Sequence, residues 1–278
     1  LLRAAGVESR VVQRPGYTEE AVQWADAVLT AGGDGTFLLA ASRIRQKNKP
    51  VIGINTDPQG SEGYMCLMRK LPKEHFRSAL QRLLDGDFRW MYRQRIRITL
   101  SGEAEQGVGD SIELHDRQLD QTPSTTRIIA VYEYWLCLTC FNLSMSFKGT
   151  GSTSWYFNIN KLTEQCVSEL LRITSDRCEV NLPLDNKEVI SDICTKFNQQ
   201  LIFSPESQRM AFTVRDPIFN ATFPPITPRG FADKIVVKSR GYDAHLVIDG
   251  GVSYRFNDGA EASLDVHEED ALQTVIFR

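Results

Sequence analysis

The short apolar run Ala27-Val28-Leu29-Thr30 passes through Ala31 into Gly32-Gly33-Asp34-Gly35-Thr36 and then into the apolar Phe37-Leu38-Leu39-Ala40-Ala41. A strand, a glycine-rich turn and a helix in that order make a phosphate-binding device. Glycines permit positive φ and a close backbone approach, and a helix start offers N–H groups without intrahelical partners. Asp34 is the informative residue. A negative charge inside an anion-binding loop is costly unless it handles a proton or a metal, as a general base does for an attacking hydroxyl in phosphoryl transfer. Thr36 can donate to a phosphate. The plainer alternative is a tight turn in which Asp34 only caps the next helix. Gly32 to Gly35 do not match G-x-G-x-x-G, and the chain holds no G-x-x-x-x-G-K-[ST]. An ordinary nicotinamide dehydrogenase and a P-loop NTPase both lose ground.

Around this device strand and helix patterns alternate. Arg10–Gln13 reads as a short strand, and Thr18-Glu19-Glu20 opens a helix with an N-cap hydroxyl and early acids, ending near Trp24. A helix runs from Phe37 through Arg45, a buried strand covers Pro50–Ile54, and a longer helix covers Lys73–Leu84. Short connections between such elements predict a doubly wound parallel α/β domain. From Arg95 the period becomes two: Ile96, Ile98 and Leu100 alternate with Arg97 and Thr99, as in a half-buried antiparallel strand. Further strands are read at 235–237, 245–248, 254–256 and 262–266, with helices at 161–173 and 186–199. The expected organisation is α/β + β: an α/β nucleotide-phosphate-binding domain over 1–94, then a mainly antiparallel β-sandwich over 95–278 with inserted helices.

With 278 residues the chain is long enough for two such domains. Its net charge of -3 lacks the basic footprint that nucleic-acid or anionic-membrane binding needs. The longest nearly uncharged run, about Ala130 to Phe147, is interrupted by Glu133 and is too short and too polar for a membrane span. The six cysteines form no dense framework, so reduced thiols are expected. Cys137 and Cys140 make a lone C-x-x-C without the second pair that zinc would need. His75, His115, His245 and His267 are scattered without ligand spacing, so no metal-ligating residues are assigned. The chain begins at Leu1 inside what reads as a helix end, so residues are expected upstream, any targeting segment among them.

A second polar cluster is Gly149-Thr150-Gly151-Ser152-Thr153-Ser154, followed by Trp155-Tyr156-Phe157-Asn158. Hydroxyls and backbone amides at this density suit phosphate or ribose contacts at a helix start, although a plain loop uses the same residue types. Asn55 follows the strand Val51–Ile54, beyond the carboxyl end where open α/β sheets bind ligands. Its alternative role is that of a turn residue.

Taken in order, these motifs resemble the NAD kinases, and more closely their mitochondrial branch. The resemblance rests on Ala31–Thr36, on Val51–Asp57 with Ser61-Glu62-Gly63, and on Thr150–Thr153 leading into Trp155 and Asn158–Asn160. It continues in Trp90–Leu100, Ile248–Gly251 and Phe256–Gly259. Gly-Gly-Asp-Gly-Thr alone is shared with diacylglycerol and sphingoid-base kinases. The resemblance implies transfer of the ATP γ-phosphate, with Mg²⁺, to the 2′-hydroxyl of the adenosine ribose of NAD. On it Asp34 matches the base, and Gly33, Gly35 and Thr36 match the phosphate-contacting turn. Asn55 matches a substrate-loop residue, Thr150, Gly151, Ser152, Thr153, Ser154 and Asn158 match a second nucleotide-contacting motif, and Tyr64 matches an aromatic near the nucleotide. A homodimer and a mitochondrial location are likewise implied.

The family's Asn-Glu pair, which holds NAD on a strand between the two motifs, is not found. Arg127 to Lys148 stands there with Glu133 as its one acid, and 103–148 reads as foreign to the family. A lipid kinase with the same loop, and a non-catalytic NAD(P)-binding protein, are the alternatives.

Overall fold

The computed structural model describes residues 2–60, 63–67, 75–102, 125–130, 133–138, 143–148, 155–215, 227–248 and 252–277. Its first half is built on a parallel pair, β1 (Val28–Ala31) and β2 (Val51–Ile54), with Val28 opposite Val51 and Ala31 opposite Ile54. Helix α1 (Glu19–Trp24) precedes β1, and α2 (Asp34–Ala41) connects β1 towards β2 and packs on both strands. Phe37, Ala41 and Val51 are fully buried in the core between them, joined by Val22, Ile44 and Met65.

α1 forms where the sequence predicts it. The Thr18 side chain accepts the Ala21 amide at 3.2 Å, and Glu19 and Glu20 lie in the first turn, where the helix dipole favours negative charge. At the other end the ammonium of the buried Lys49 donates to the carbonyls of Val22 at 2.7 Å and Ala25 at 2.5 Å. A charge that would be costly alone is thereby matched to C-terminal carbonyls. The strand expected at Arg10–Gln13 does not form. That stretch pairs with no described strand, Val11 stands 96% exposed, and a 3₁₀ turn at Arg14–Gly16 follows, with Pro15 fixing φ. The first residues likewise make only a 3₁₀ turn, Arg3–Ala5.

α3 (Phe76–Leu84) leads to β3 (Arg89–Arg93), after which β4 (Ile96–Ser101) shows the predicted alternation, with Ile96, Ile98 and Leu100 buried. β4 and β5 (Thr125–Ala130) lie in a four-stranded sheet of order β10-β13-β4-β5, where β10 is Lys234–Lys238 and β13 is Glu261–Val266. The second sheet has six strands in the order β12-β11-β6-β7-β8-β9. These are β6 (Glu133–Leu138), β7 (Leu143–Lys148), β8 (Met210–Arg215), β9 (Arg229–Ala232), β11 (His245–Ile248) and β12 (Val252–Arg255). Within both sheets every pairing is antiparallel. Ile98, Leu100 and Leu264 of the first sheet pack with Met210, Leu246 and Ile248 of the second, which makes the pair a sandwich around one apolar core. The α/β + β architecture is the one expected. Of the stretch 103–148 the described residues form β5, β6 and β7, held in register in both sheets.

Three helices are inserted between β7 and β8: α4 (Trp155–Asn160), α5 (Glu164–Cys178) and α6 (Lys187–Gln199). Thr163 and Asn186 cap the last two through their side-chain oxygens. The chain ends by returning to its beginning. β14 (Leu272–Ile276) pairs antiparallel with β3, lies against β2, and buries Leu272 in the core of the first half.

Candidate active site

Asp34 occupies the first position of α2, and its carboxylate does not cap that helix. Gly33 is the N-cap and makes no side-chain cap bond. Both carboxylate oxygens of Asp34 instead accept backbone amides from a turn about thirty residues on: Oδ2 from Tyr64 at 3.1 Å and Oδ1 from Met65 at 2.8 Å. The capping reading is thus corrected by the geometry. Two fixed donors hold the carboxylate in one orientation and leave each oxygen a further lone pair for a partner.

The loop glycines serve space rather than unusual torsion. Gly32, Gly33 and Gly35 are absent from the residues with positive φ, so the positive φ expected of the loop glycines is not adopted. A Cβ on Gly32 would overlap the Thr36 hydroxyl, which folds back over the loop, whereas a Cβ on Gly35 would meet nothing within 4 Å. Gly35 and Thr36 are exposed. The intrahelical bonds of α2 begin with Thr36 N to Gly33 O at 3.1 Å and Phe37 N to Gly33 O at 3.2 Å. The amides of Asp34 and Gly35 lie ahead of them, as a phosphate-accepting helix start requires. Gly35 and Thr36 also line a groove of about 1350 Å³ that runs along Val7–Arg14 and Trp24–Ala31; Asp34 does not line it.

The turn that holds Asp34 is fixed to β2. Cys66 forms a parallel bridge with Gly53, and the Leu67 amide donates to Gly53 O at 2.8 Å. A Cβ on Gly53 would lie 2.9 Å from Phe37 and 3.0 Å from the Cys66 backbone, so the close approach needs glycine there. The Cys66 thiol points to Gly32 O at 3.6 Å. Burial, and then the neighbouring Asp34 carboxylate, push its pKa up to about 12 against a partial opposing effect of Arg93. It is an inert neutral thiol.

Asn55, at the end of β2, is buried and accepts the Asp57 amide through Oδ1 at 3.1 Å, the Asx-turn role. Its amide also packs against Gly63, so it belongs to the same constellation as Asp34. Gly33, Asp34, Gly35, Thr36 and Asn55 are brought together. Thr150, Gly151, Ser152, Thr153 and Ser154 lie outside the described residues, as do Ser61 and Glu62. Asn158 sits exposed on α4, which packs on β7 and β8, and accepts Lys161 Nζ at 2.9 Å. The Asn160 carbonyl, at the end of that helix, receives Arg229 Nη1 at 3.3 Å. The sequence reading missed the backbone donors of Tyr64 and Met65, since an amide leaves no mark in side-chain pattern; Gly63 was the one available sign of a tight turn there.

Residues 7–88 match the family described as the ATP-NAD kinase N-terminal domain. Over 317 aligned positions the chain is 38% identical to "NAD kinase 2, mitochondrial" of Rattus norvegicus, covering 99% of this chain and 73% of that protein. The chain belongs to the NAD kinase family. The Homo sapiens protein of the same name is also 38% identical, with 99% of this chain and 71% of that protein covered. The aligned length in the rat comparison exceeds the 278 residues of this NAD kinase family member, so the rat protein holds internal residues that have no counterpart in it. The fold also resembles "Crystal Structure of Yeast NADH Kinase complexed with NADH", with TM-score 0.56 and 15% identity. That match covers 94% of this chain and 64% of the yeast chain, under two thirds of it. As a member of the NAD kinase family the chain is a phosphotransferase, and nothing in these likenesses favours a lipid kinase or a non-catalytic binder.

Proposed function

We propose that this protein is a mitochondrial NAD kinase that transfers the γ-phosphoryl group of ATP to the 2′-hydroxyl of the adenosine ribose of NAD. The observation that carries the reading is the Asp34 carboxylate, turned away from capping α2 and held by the Tyr64 and Met65 amides beside a glycine-rich helix start. In this arrangement Asp34 takes the proton of the 2′-hydroxyl as its oxygen bonds to the γ-phosphorus. The bond from that phosphorus to the β,γ-bridging oxygen breaks, and ADP leaves with its electron pair. Phosphoryl transfer asks the protein mainly for alignment and charge stabilisation. Gly33, Gly35 and Thr36 supply amides and a hydroxyl to the phosphates.

Thr150, Gly151, Ser152, Thr153, Ser154 and Asn158 contribute the second nucleotide contact, and Asn55 the substrate loop. The donor set suits Mg²⁺ carried by ATP. That ion usually keeps several waters and binds chiefly through substrate phosphates, so it would ask little of the protein and leave Asp34 to act as the base. Bound to those phosphates, it would neutralise their charge. No group of three potential ligands clusters among the described residues. A two-domain organisation divided near residue 94 and a homodimer complete the reading.

The test is incubation of purified protein with NAD and Mg-ATP, reading NADP with an NADP-specific dehydrogenase. Stoichiometric NADP and ADP support the activity; binding of NAD with no NADP formed contradicts it.

A further inference from the structure

The residues that hold Asp34 are themselves held, and one glycine stands at the junction. Gly63 has φ of 60°, in the left-handed region, and is buried. A Cβ built on it would lie 2.5 Å from Asn55 Nδ2, 3.0 Å from Asn55 Cγ and 3.1 Å from Asn55 Cβ. The Asn55 side chain is itself buried, so it cannot swing freely into solvent. The next two amides in the chain are the donors to Asp34, and the Cys66 amide closes the turn on Gly63 O at 3.0 Å. Displacing Gly63 from Asn55 therefore displaces the Tyr64 and Met65 amides.

We propose that Gly63 is a positioning residue for the phosphoryl-transfer step: by lacking a side chain it lets Asn55 and the 63–66 turn close together, and so fixes the Asp34 carboxylate. The proposal rests on Asp34 being the base. Gly63 touches neither nucleotide in this role. Its effect on rate comes through the orientation of a neighbour, to which chemistry is sensitive because misplacement by about 1 Å costs on the order of 100-fold.

A matched control is built into the chain. Gly86 has φ of 74° and open space where a Cβ would lie, after α3 and away from the loop. Gly86→Ala introduces the same kind of backbone strain without touching Asn55 or Asp34. With full-length protein, kcat and KM for Mg-ATP are measured for wild type, Gly63→Ala, Gly86→Ala and Asp34→Asn. Amide exchange at Tyr64 and Met65 is read by NMR on the same samples.

The expected result is a kcat reduced about 100-fold in Gly63→Ala with KM for Mg-ATP little changed, the signature of an interaction lost at the transition state. Faster exchange of the Tyr64 and Met65 amides accompanies it, and Gly86→Ala keeps both properties. A Gly63→Ala enzyme as fast as Gly86→Ala, with Asp34→Asn inactive, overturns the positioning role alone. Wild-type turnover in Asp34→Asn overturns the base assignment and this proposal with it. If Gly63→Ala does not fold, the double variant Asn55→Ala/Gly63→Ala removes the Nδ2 and Cγ atoms that the new Cβ meets most closely. Wild-type amide protection at Tyr64 and Met65 in it supports the proposal, and loss of that protection overturns it.

Discussion

Arg95 Nη1 donates to the Ile44 carbonyl at 2.7 Å, tying the start of β4 to the turn after α2. Its Nε also donates to the Asp270 carbonyl, so one guanidinium, 2% exposed, joins three separate parts of the chain. Arg95→Met keeps much of the volume and leaves both carbonyls without this donor. Hydrogen bonds to a charged group contribute about 1.5–3 kcal/mol each, so losing the two together is expected to cost about 3–6 kcal/mol. Urea unfolding followed by circular dichroism reads it. Arg172→Met, which removes an exposed pair with Glu169, leaves the midpoint unchanged.

Gly32→Ala is expected to weaken Mg-ATP rather than the fold. The new Cβ occupies the place of the Thr36 hydroxyl and drives it off the loop. Losing one hydrogen bond to a phosphate, worth about 1.5–3 kcal/mol, corresponds to a rise in the dissociation constant of roughly tenfold or more. Titration calorimetry with Mg-ATP measures it, and Gly35→Ala, whose Cβ meets nothing, shows a smaller loss.

Stability is expected to fall on the alkaline side, and two buried groups give the reason. Burial pushes the pKa of Tyr17 from 10.0 up to about 12, with Arg43 partly opposing, and pushes Cys66 from 9.0 up to about 12. The Tyr17 hydroxyl also donates to Ala40 O at 2.9 Å. In both groups the folded state keeps a proton that the unfolded chain has given up. Their contribution is fully present below pH 9, and declines as pH rises from 9 towards 12. The urea midpoint is therefore expected to be flat from pH 7 to 8.5 and to drop above 9, less steeply in Tyr17→Phe and Cys66→Ala. An unchanged slope in both variants contradicts the assignment.

The thiols divide by environment. Cys166 is exposed, and the Thr163 hydroxyl beside its sulfur at 3.2 Å holds its pKa below the usual thiol value. At pH 8 it is expected to react with iodoacetamide well ahead of buried Cys66, and Thr163→Ala slows it. Peptide mapping after timed alkylation gives the order.

Legibility in the sequence followed the physics of each element. Thr18 with Glu19 and Glu20 announced α1, and the alternation in Ile96–Leu100 announced β4, because a cap and a half-buried face both leave local patterns. β14 was missed since Gln273 and Thr274 are buried along with Leu272 and Val275, so the strand shows no alternation. Of α4 only a helix start after Ser154 was read, because six residues, three of them aromatic, have neither the length nor the periodicity of a helix. Arg10–Gln13 has apolar residues but no strand among the described residues to pair with. At the site Asp34, Thr36 and Asn55 were legible from residue type, whereas the Tyr64 and Met65 donors depend on a fold that brings distant backbone to the loop.

The most direct test of the central claim compares wild type with Asp34→Asn for NADP formation from NAD and Mg-ATP, alongside Mg-ATP binding by calorimetry. Asn keeps the shape and an acceptor oxygen but cannot take the hydroxyl proton. With Asp34 as the base, kcat falls by about 100-fold or more in Asp34→Asn, the usual contribution of a positioned base, with Mg-ATP still bound. Turnover at the wild-type rate in Asp34→Asn would contradict that role.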